Sequence, residues 1–294
     1  MIDFSVIIAT YNRAGYLLEC LDSLVLQTHK NFETIIADDG STDDTENVIK
    51  EYTDKLNIIY FKIPNSGYPG KPRNIAVEKS SADWLCFLDS DDTWSHTKLE
   101  KCFKYLNKFD VIYHKLKYFG TGKPIYRINI PSRQVNHPVF TDLMTMGNSI
   151  ALSSSLIRKS IFLQAGKFFD EDASIGGLDD YDLWLRTSLL TERFKFIPKT
   201  LGFYRIHTGN ITENSFTQIE KIDKVYHKHL PKLNTGNHEQ AKIIKDYYIA
   251  IIYERMKDYN KAIELYRQCL QAATSKQKIK AALRIILVTA KRTL

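Results

Sequence analysis

The sequence predicts an α/β fold, a doubly wound and mostly parallel sheet followed by a helical extension. Three observations carry this. The first 120 residues alternate short β-branched runs with segments of helical spacing, the pattern of parallel strands joined by crossover helices. The strand-like runs are continuously apolar, which fits a sheet covered on both faces. From about residue 215 onward the pattern is helical throughout.

FSVIIAT (4–10) reads as the first buried strand, and Tyr16, Leu17, Cys20, Leu21, Leu24 and Val25 then recur at helical spacing. ETIIADD (33–39) is the second strand, followed by GSTDD and a helix through Val48, Ile49 and Tyr52. NIIYFKI (57–63) is the third, leading through PNSGYPGKP into a short helix, RNIAVEKS. WLCFLD (84–89) is the fourth, and Ser95 is expected to cap a helix carrying Leu99, Phe103 and Leu106. DVIYHKLKYF (110–119) is the fifth. Residues 121–214 are less regular, with a strand-like IALSSSLIR (150–158), the loop FFDEDASIGG, then DDYDLWLRTSLL, FKFIPK and GFYRIHTGNIT. The expected domains are therefore 1–214 and a basic α-helical extension, 215–294. Within the extension, YYIAIIYERMKDYNKAIELYRQCLQAA resembles one tetratricopeptide repeat through Ala250, Tyr253, Tyr259, Ala262, Tyr266 and Leu270. Stacked repeats need about three copies for stability, so a helical hairpin is the expectation.

Composition narrows the class. Residues 1–214 hold 25 Lys and Arg against 27 Asp and Glu, whereas 215–294 hold 16 against 7. The basic excess lies wholly in the extension, which points to a separate partner there. Cys20, Cys86, Cys102 and Cys269 are far apart and form no CxxC pair, so they read as reduced core residues of a cytosolic protein. The opening MIDFSVIIATYNR has Asp3 where a signal peptide needs cations. No run approaches the roughly 18–20 apolar residues of a membrane span, so any membrane association is expected to be peripheral.

Ligands of open α/β sheets bind beyond the carboxyl ends of the strands. Thr10-Tyr11-Asn12, Asp38-Asp39-Gly40 and Asp89-Ser90-Asp91-Asp92 all follow strand ends, so they should converge on one rim. Crowded carboxylates repel one another. An Asx-rich turn would account for the cluster around Ser90. So would Mg²⁺ or Mn²⁺ on a diphosphate, which often uses one or two carboxylates with phosphate and water completing its shell.

FSVIIATYNR, ADDGSTDDT, NSGYPGKPRN, FLDSDD, DDYDLWLR and YRIHTGNIT, in that order over about residues 3–214, resemble the successive signatures of family 2 glycosyltransferases with the GT-A fold. The resemblance implies that Thr10, Tyr11, Asp38 and Asp39 hold a nucleotide base, usually uracil, whose imide N–H suits a carboxylate acceptor. It implies that Arg73 lies near the nucleotide. Asp89 and Asp91 match the DxD, with Asp91 on the metal, Asp89 on ribose or metal, and Asp92 contacting the sugar or supporting the others. Asp180, with Asp179 beside it, matches the catalytic base of inverting members; the alternative is an N-cap. The start of a helix should hold such a carboxylate ionised. Asp182 and Arg186, four apart, should pair with each other. Trp184 suits either the core or a wall for the acceptor sugar. His207 matches a residue that reaches the metal or diphosphate, with a structural role as the alternative, and Arg205 would offset charge on the leaving diphosphate. Three departures stand out: Ala9 where proline is common, Pro69 and Pro72 in the loop over the donor, and Asp179-Asp180 where Glu-Asp is usual.

The implied activity is an inverting, metal-dependent transfer of a hexose from a UDP-sugar to a carbohydrate hydroxyl, with Mn²⁺ or Mg²⁺ as cofactor. The implied acceptor is carried on a polyprenyl-diphosphate lipid in surface-polysaccharide assembly, at the cytoplasmic membrane face. No nucleic-acid partner is expected. The rival classes are a nucleotidyltransferase, for which ATYNRAGY is a poor Gly-rich loop, and a non-catalytic binding module built on the tail. KQKIKAALRIILVTAKRTL (276–294) sets cations around an apolar run. It reads as an anchor for an anionic membrane surface or as a core helix packed on the hairpin.

Overall fold

The computed structural model describes residues 1–120, 130–166, 174–207, 216–272 and 275–292. Residues 168–173 of the acidic loop and the TGNIT stretch (208–212) fall outside the described residues. Two compact units are present. One comprises Met1–Val135 and Ser149–Gly209, the other Asn136–Asn148 and Asn210–Leu294.

The first unit is built on β1 (Phe4–Thr10), α1 (Ala14–Val25), β2 (Phe32–Asp38), α2 (Thr45–Lys50), β3 (Ile58–Lys62), α3 (Gly70–Glu78) and β4 (Trp84–Phe87). The short β5 (Thr93–Trp94), α4 (Lys98–Phe103) and β6 (Val111–Gly120) follow. The chain then contributes α5 (Val139–Met146) to the second unit and returns for β7 (Ser155–Arg158), α6 (Lys159–Gln164), α7 (Asp179–Ser188) and β8 (Phe194–Ile206). The eight strands form one sheet in the order β3-β2-β1-β4-β7-β6-β8-β5. β3, β2, β1 and β4 are mutually parallel, and β7 runs against both β4 and β6. β6 and β8 are parallel to each other and β5 is antiparallel to β8, so only β7 and β5 run against the common direction. The fold is the GT-A sheet with C-terminal helices.

The burial pattern follows position in the sheet. Every residue of β2 is buried, whereas β3, at the edge, is only partly so. Leu17, Cys20, Leu21 and Leu24 form the inward stripe of α1 and join Val6, Ile8, Ile36 and Cys86 in one core. All four cysteines are free and buried, as their apolar contexts predict. Ser95 does not cap α4. Thr97 precedes that helix without a side-chain cap, and Ser95 instead accepts the Lys98 N–H at its carbonyl (2.9 Å). Sequence reading missed β5, whose two residues have no periodicity to detect, and split the continuous β8 in two.

In the second unit α8 (Phe216–His229) precedes α9 (His238–Arg255), α10 (Tyr259–Ala272) and α11 (Ser275–Arg292). α9 and α10 form the expected hairpin. Ala250, Ala262 and Tyr266 are wholly buried between the helices, with Val288 of α11.

Candidate active site

The parallel register aligns the strand ends. Thr10 is paired with Asp38 and Ile7 with Phe87, and the Leu88 N–H donates to the Ile7 carbonyl (3.1 Å). Thr10-Tyr11-Asn12, Asp38-Asp39 and Asp89–Asp92 therefore leave neighbouring strands at one rim. Thr10 is buried and its Oγ1 makes no hydrogen bond among the described residues, whereas Tyr11 is exposed.

Asp38 and Asp39 are held by amide and hydroxyl donors. Asp38 accepts the Ser41 N–H (2.7 Å) and the Tyr60 hydroxyl (3.0 Å). Asp39 Oδ1 accepts the Ser66 N–H (2.8 Å) and hydroxyl (2.7 Å). Asn12 ties the first loop to the second, receiving the Thr42 N–H (2.8 Å) and donating its own N–H to Ser41 Oγ (2.9 Å). Gly40 has φ +85°, and a Cβ there would lie 2.9 Å from the Asn65 backbone nitrogen. Glycine is required for this approach.

The loop after β4 is arranged differently. Asp89 turns its carboxylate to Arg73 (2.6 Å), and its N–H donates to Ser153 Oγ (3.1 Å). Asp91 faces His207 Nε2 at 2.8 Å. Asp92, almost wholly buried, accepts the Arg205 backbone N–H (2.9 Å). Burial first, and then the charge of Asp89, raises the Asp91 carboxyl above the ordinary range, with His207 opposing. Asp92 is pushed well up by burial and then by Asp91 and Asp89.

The Arg205 guanidinium donates to the Asp91 carbonyl (2.9 Å) and to Glu19 (2.7 Å), and lies over the rings of Phe119 and Tyr16. The Tyr16 ring also packs on His207, centroids 4.8 Å apart. Arg205 is thus engaged with the loop itself.

Among the described residues, no three His, Cys, Asp or Glu side chains converge as a metal cage. Of the expected trio, Asp91 lies beside His207, while Asp89 pairs with Arg73. What remains is one carboxylate beside one imidazole. That donor set fits a divalent cation whose remaining ligands are phosphate and water.

Arg73 also reaches Asp179 (3.2 Å), linking the β4 loop to the start of α7. Asp179 is buried and additionally accepts the Gly177 N–H (3.1 Å), which is shared with the Tyr68 hydroxyl (3.1 Å). Tyr68 lies so close to Gly176 that a Cβ there would sit 2.6 Å from its ring. Asp180 is half-buried, and its Oδ1 accepts the Tyr181 N–H (2.6 Å). Desolvation, then the Asp179 charge, pushes its carboxyl up to about 7. Burial and the second carboxylate thus oppose the ionised form that the helix start was expected to favour. Neither aspartate caps α7: Leu178 occupies that position and makes no side-chain cap. Asp182 and Arg186 pair as expected (2.8 Å). Trp184 is core, wholly buried with its indole N–H on the Ile150 carbonyl (2.9 Å). Sequence reasoning missed Tyr16, Glu19, Tyr60, Ser66, Tyr68 and Ser153, because their roles depend on partners 22–191 residues away.

The sequence profile of Glycosyl transferase family 2 matches residues 5–160. The chain belongs to this family. An uncharacterized glycosyltransferase of Rickettsia prowazekii is 29% identical over 234 residues, covering 78% of this chain and 72% of that protein. Poly(ribitol-phosphate) beta-N-acetylglucosaminyltransferase TarS of Staphylococcus aureus is 38% identical over 130 residues, 42% of this chain and 23% of TarS. Among solved structures, S. aureus TarS 1–349 in complex with UDP-GlcNAc superposes with a TM-score of 0.66 at 22% identity, covering 98% of this chain and 81% of that one. The mannosyltransferase PcManGT from Pyrobaculum calidifontis, in complex with GDP-Man and Mn²⁺, gives 0.64 at 13% identity, covering 97% and 80%. No helix among the described residues is long and apolar enough to cross a membrane.

Proposed function

We propose that this glycosyltransferase moves a hexose from a UDP-sugar to a carbohydrate hydroxyl with inversion, and that Asp180 is its base. The observation that carries the reading is the unequal treatment of two adjacent aspartates. Asp179 is buried and paired with Arg73, while the carboxyl of Asp180 is pushed up to about 7. A base poised near the working pH takes a proton most effectively.

In this reading Asp180 accepts the proton of the acceptor hydroxyl as that oxygen bonds to the anomeric carbon. The bond from that carbon to the diphosphate breaks, and its electron pair leaves with UDP. Asp39 and Thr10 hold the base, with Asp38 and Tyr11 beside them, and Asp89 meets the ribose. Asp92 and Arg205 act as positioning residues, bracing the loop that carries Asp91. Arg73 keeps Asp89 and Asp179 at a fixed separation. Asp91 and His207 would hold Mn²⁺ or Mg²⁺, which when bound neutralises charge on the diphosphate. The solved TarS complex with UDP-GlcNAc supports a uridine donor, and the Mn²⁺ of PcManGT supports a metal. In this reading the acceptor sugar is carried on a polyprenyl-diphosphate lipid, at the cytoplasmic membrane face.

Incubation with UDP-glucose, UDP-galactose, their N-acetyl forms and GDP-mannose in Mn²⁺, read by mass spectrometry, tests this. Release of UDP with a gain of one hexose or N-acetylhexosamine on a glycan acceptor is the expected result. Release of pyrophosphate, or transfer from the guanosine donor alone, would overturn it.

A further inference from the structure

α11 packs inward with one face and leaves a second apolar face uncovered. Ala281 and Val288 are wholly buried, and Ile285 packs on the same helical core. Arg284 (3.2 Å) and Lys291 (2.9 Å) reach the buried Glu254 of α9, which also accepts the Tyr266 hydroxyl (3.1 Å). These contacts fix the rotation of the helix. At about 100° per residue, Ile279, Leu283, Ile286 and Leu287 fall within an arc of roughly 100° on the opposite side. All four are 54–65% exposed. Four large aliphatic side chains on one helix face exceed the scattered exposed residues of an ordinary surface.

The charge around the stripe identifies its occupant. Residues 275–292 carry six Lys and Arg and no acidic residue, and Lys278, Lys280 and Arg292 are exposed. The side chain of Lys276 lies outside the described set. A second copy of this chain would bring two strongly basic helices together, which like-charge repulsion opposes. An anionic bilayer satisfies both features at once, with aliphatic side chains entering the acyl boundary and cations meeting lipid phosphate.

We propose that α11 is an interfacial anchor whose Ile279, Leu283, Ile286 and Leu287 face binds anionic bilayers. The anchor is independent of the sugar donor, and binding measured without nucleotide leaves the transfer reading untouched if it fails. Deleting the helix is a poor test, because Glu254 would lose Arg284 and Lys291. Exposed point substitutions avoid this. The full chain is sedimented with vesicles of phosphatidylcholine alone or with phosphatidylglycerol added. Leu283→Glu/Ile286→Glu should weaken binding to the anionic vesicles at least about tenfold, and Lys278→Gln/Lys280→Gln about fivefold per lysine, the latter fading as salt rises. Equal binding of the parent to both vesicle types would overturn the proposal. So would undiminished binding of both double variants, or a parent dimer in lipid-free ultracentrifugation that Leu283→Glu/Ile286→Glu dissociates.

Discussion

Asp38-Asp39 at the end of β2 and Asp89–Asp92 after β4 occupy equivalent places on the rim, two strands apart in the sheet. Neutral amide and hydroxyl donors hold the first pair: Ser41 and Tyr60 for Asp38, Ser66 for Asp39. The second cluster is bound by Arg73, Ser153, Arg205 and His207, and still leaves Asp91 and Asp92 raised by burial and by neighbouring carboxylates. Similar runs of aspartate thus have different physical standing. One is held by neutral hydrogen-bond donors, and the other is a concentration of negative charge that a cation would relieve.

Asp91→Asn should break this contrast most severely, abolishing transfer, and excess EDTA should do the same to the parent protein. Measured UDP affinity should lose its dependence on Mn²⁺. Full turnover of the parent in EDTA would remove the metal from the account.

The next largest effect is expected at Asp180, where a third acidic pair is divided. Asp180→Asn should cut kcat about 10²-fold or more with UDP affinity retained, while Asp179→Asn should instead disturb Arg73. The parent rate should rise with pH through about 7 as Asp180 loses its proton. Stability moves the other way. The unfolded carboxyl releases its proton near 3.8 whereas the folded one keeps it to about 7, so stability falls as pH rises through that window. Asp180→Asn should therefore raise Tm at pH 8 relative to the parent and leave it little changed near pH 3. A much worse defect in Asp179→Asn turnover would reverse the two roles.

The smallest effects sharpen the first pair. Asp39→Asn should weaken UDP binding by about 10–100-fold, the range for a hydrogen bond to a charged acceptor. Tyr60→Phe removes only one donor to Asp38 and should cost about 1 kcal/mol of stability with UDP affinity retained. Calorimetric titration and thermal melts separate the two. Equal loss of UDP affinity in both variants would show that Asp38 and Asp39 form one functional unit.

Local chemistry made much of the molecule legible in the one-dimensional chain. Continuous apolar runs announced β1, β2 and β4, helical spacing announced α1, and acids directly after strands marked the rim, because periodicity and strand polarity are properties of short segments. The i,i+4 pair of Asp182 and Arg186 was equally readable. Tertiary structure decided what depends on distance through space. It turned Asp89 to Arg73 rather than to the Asp91–His207 pair, buried Trp184, and exposed one of two apolar faces on α11. It also set burial and a second carboxylate against the helix start at Asp180. The helix start is visible in sequence, but the desolvation that sets that carboxyl near 7 comes from surroundings assembled only by folding.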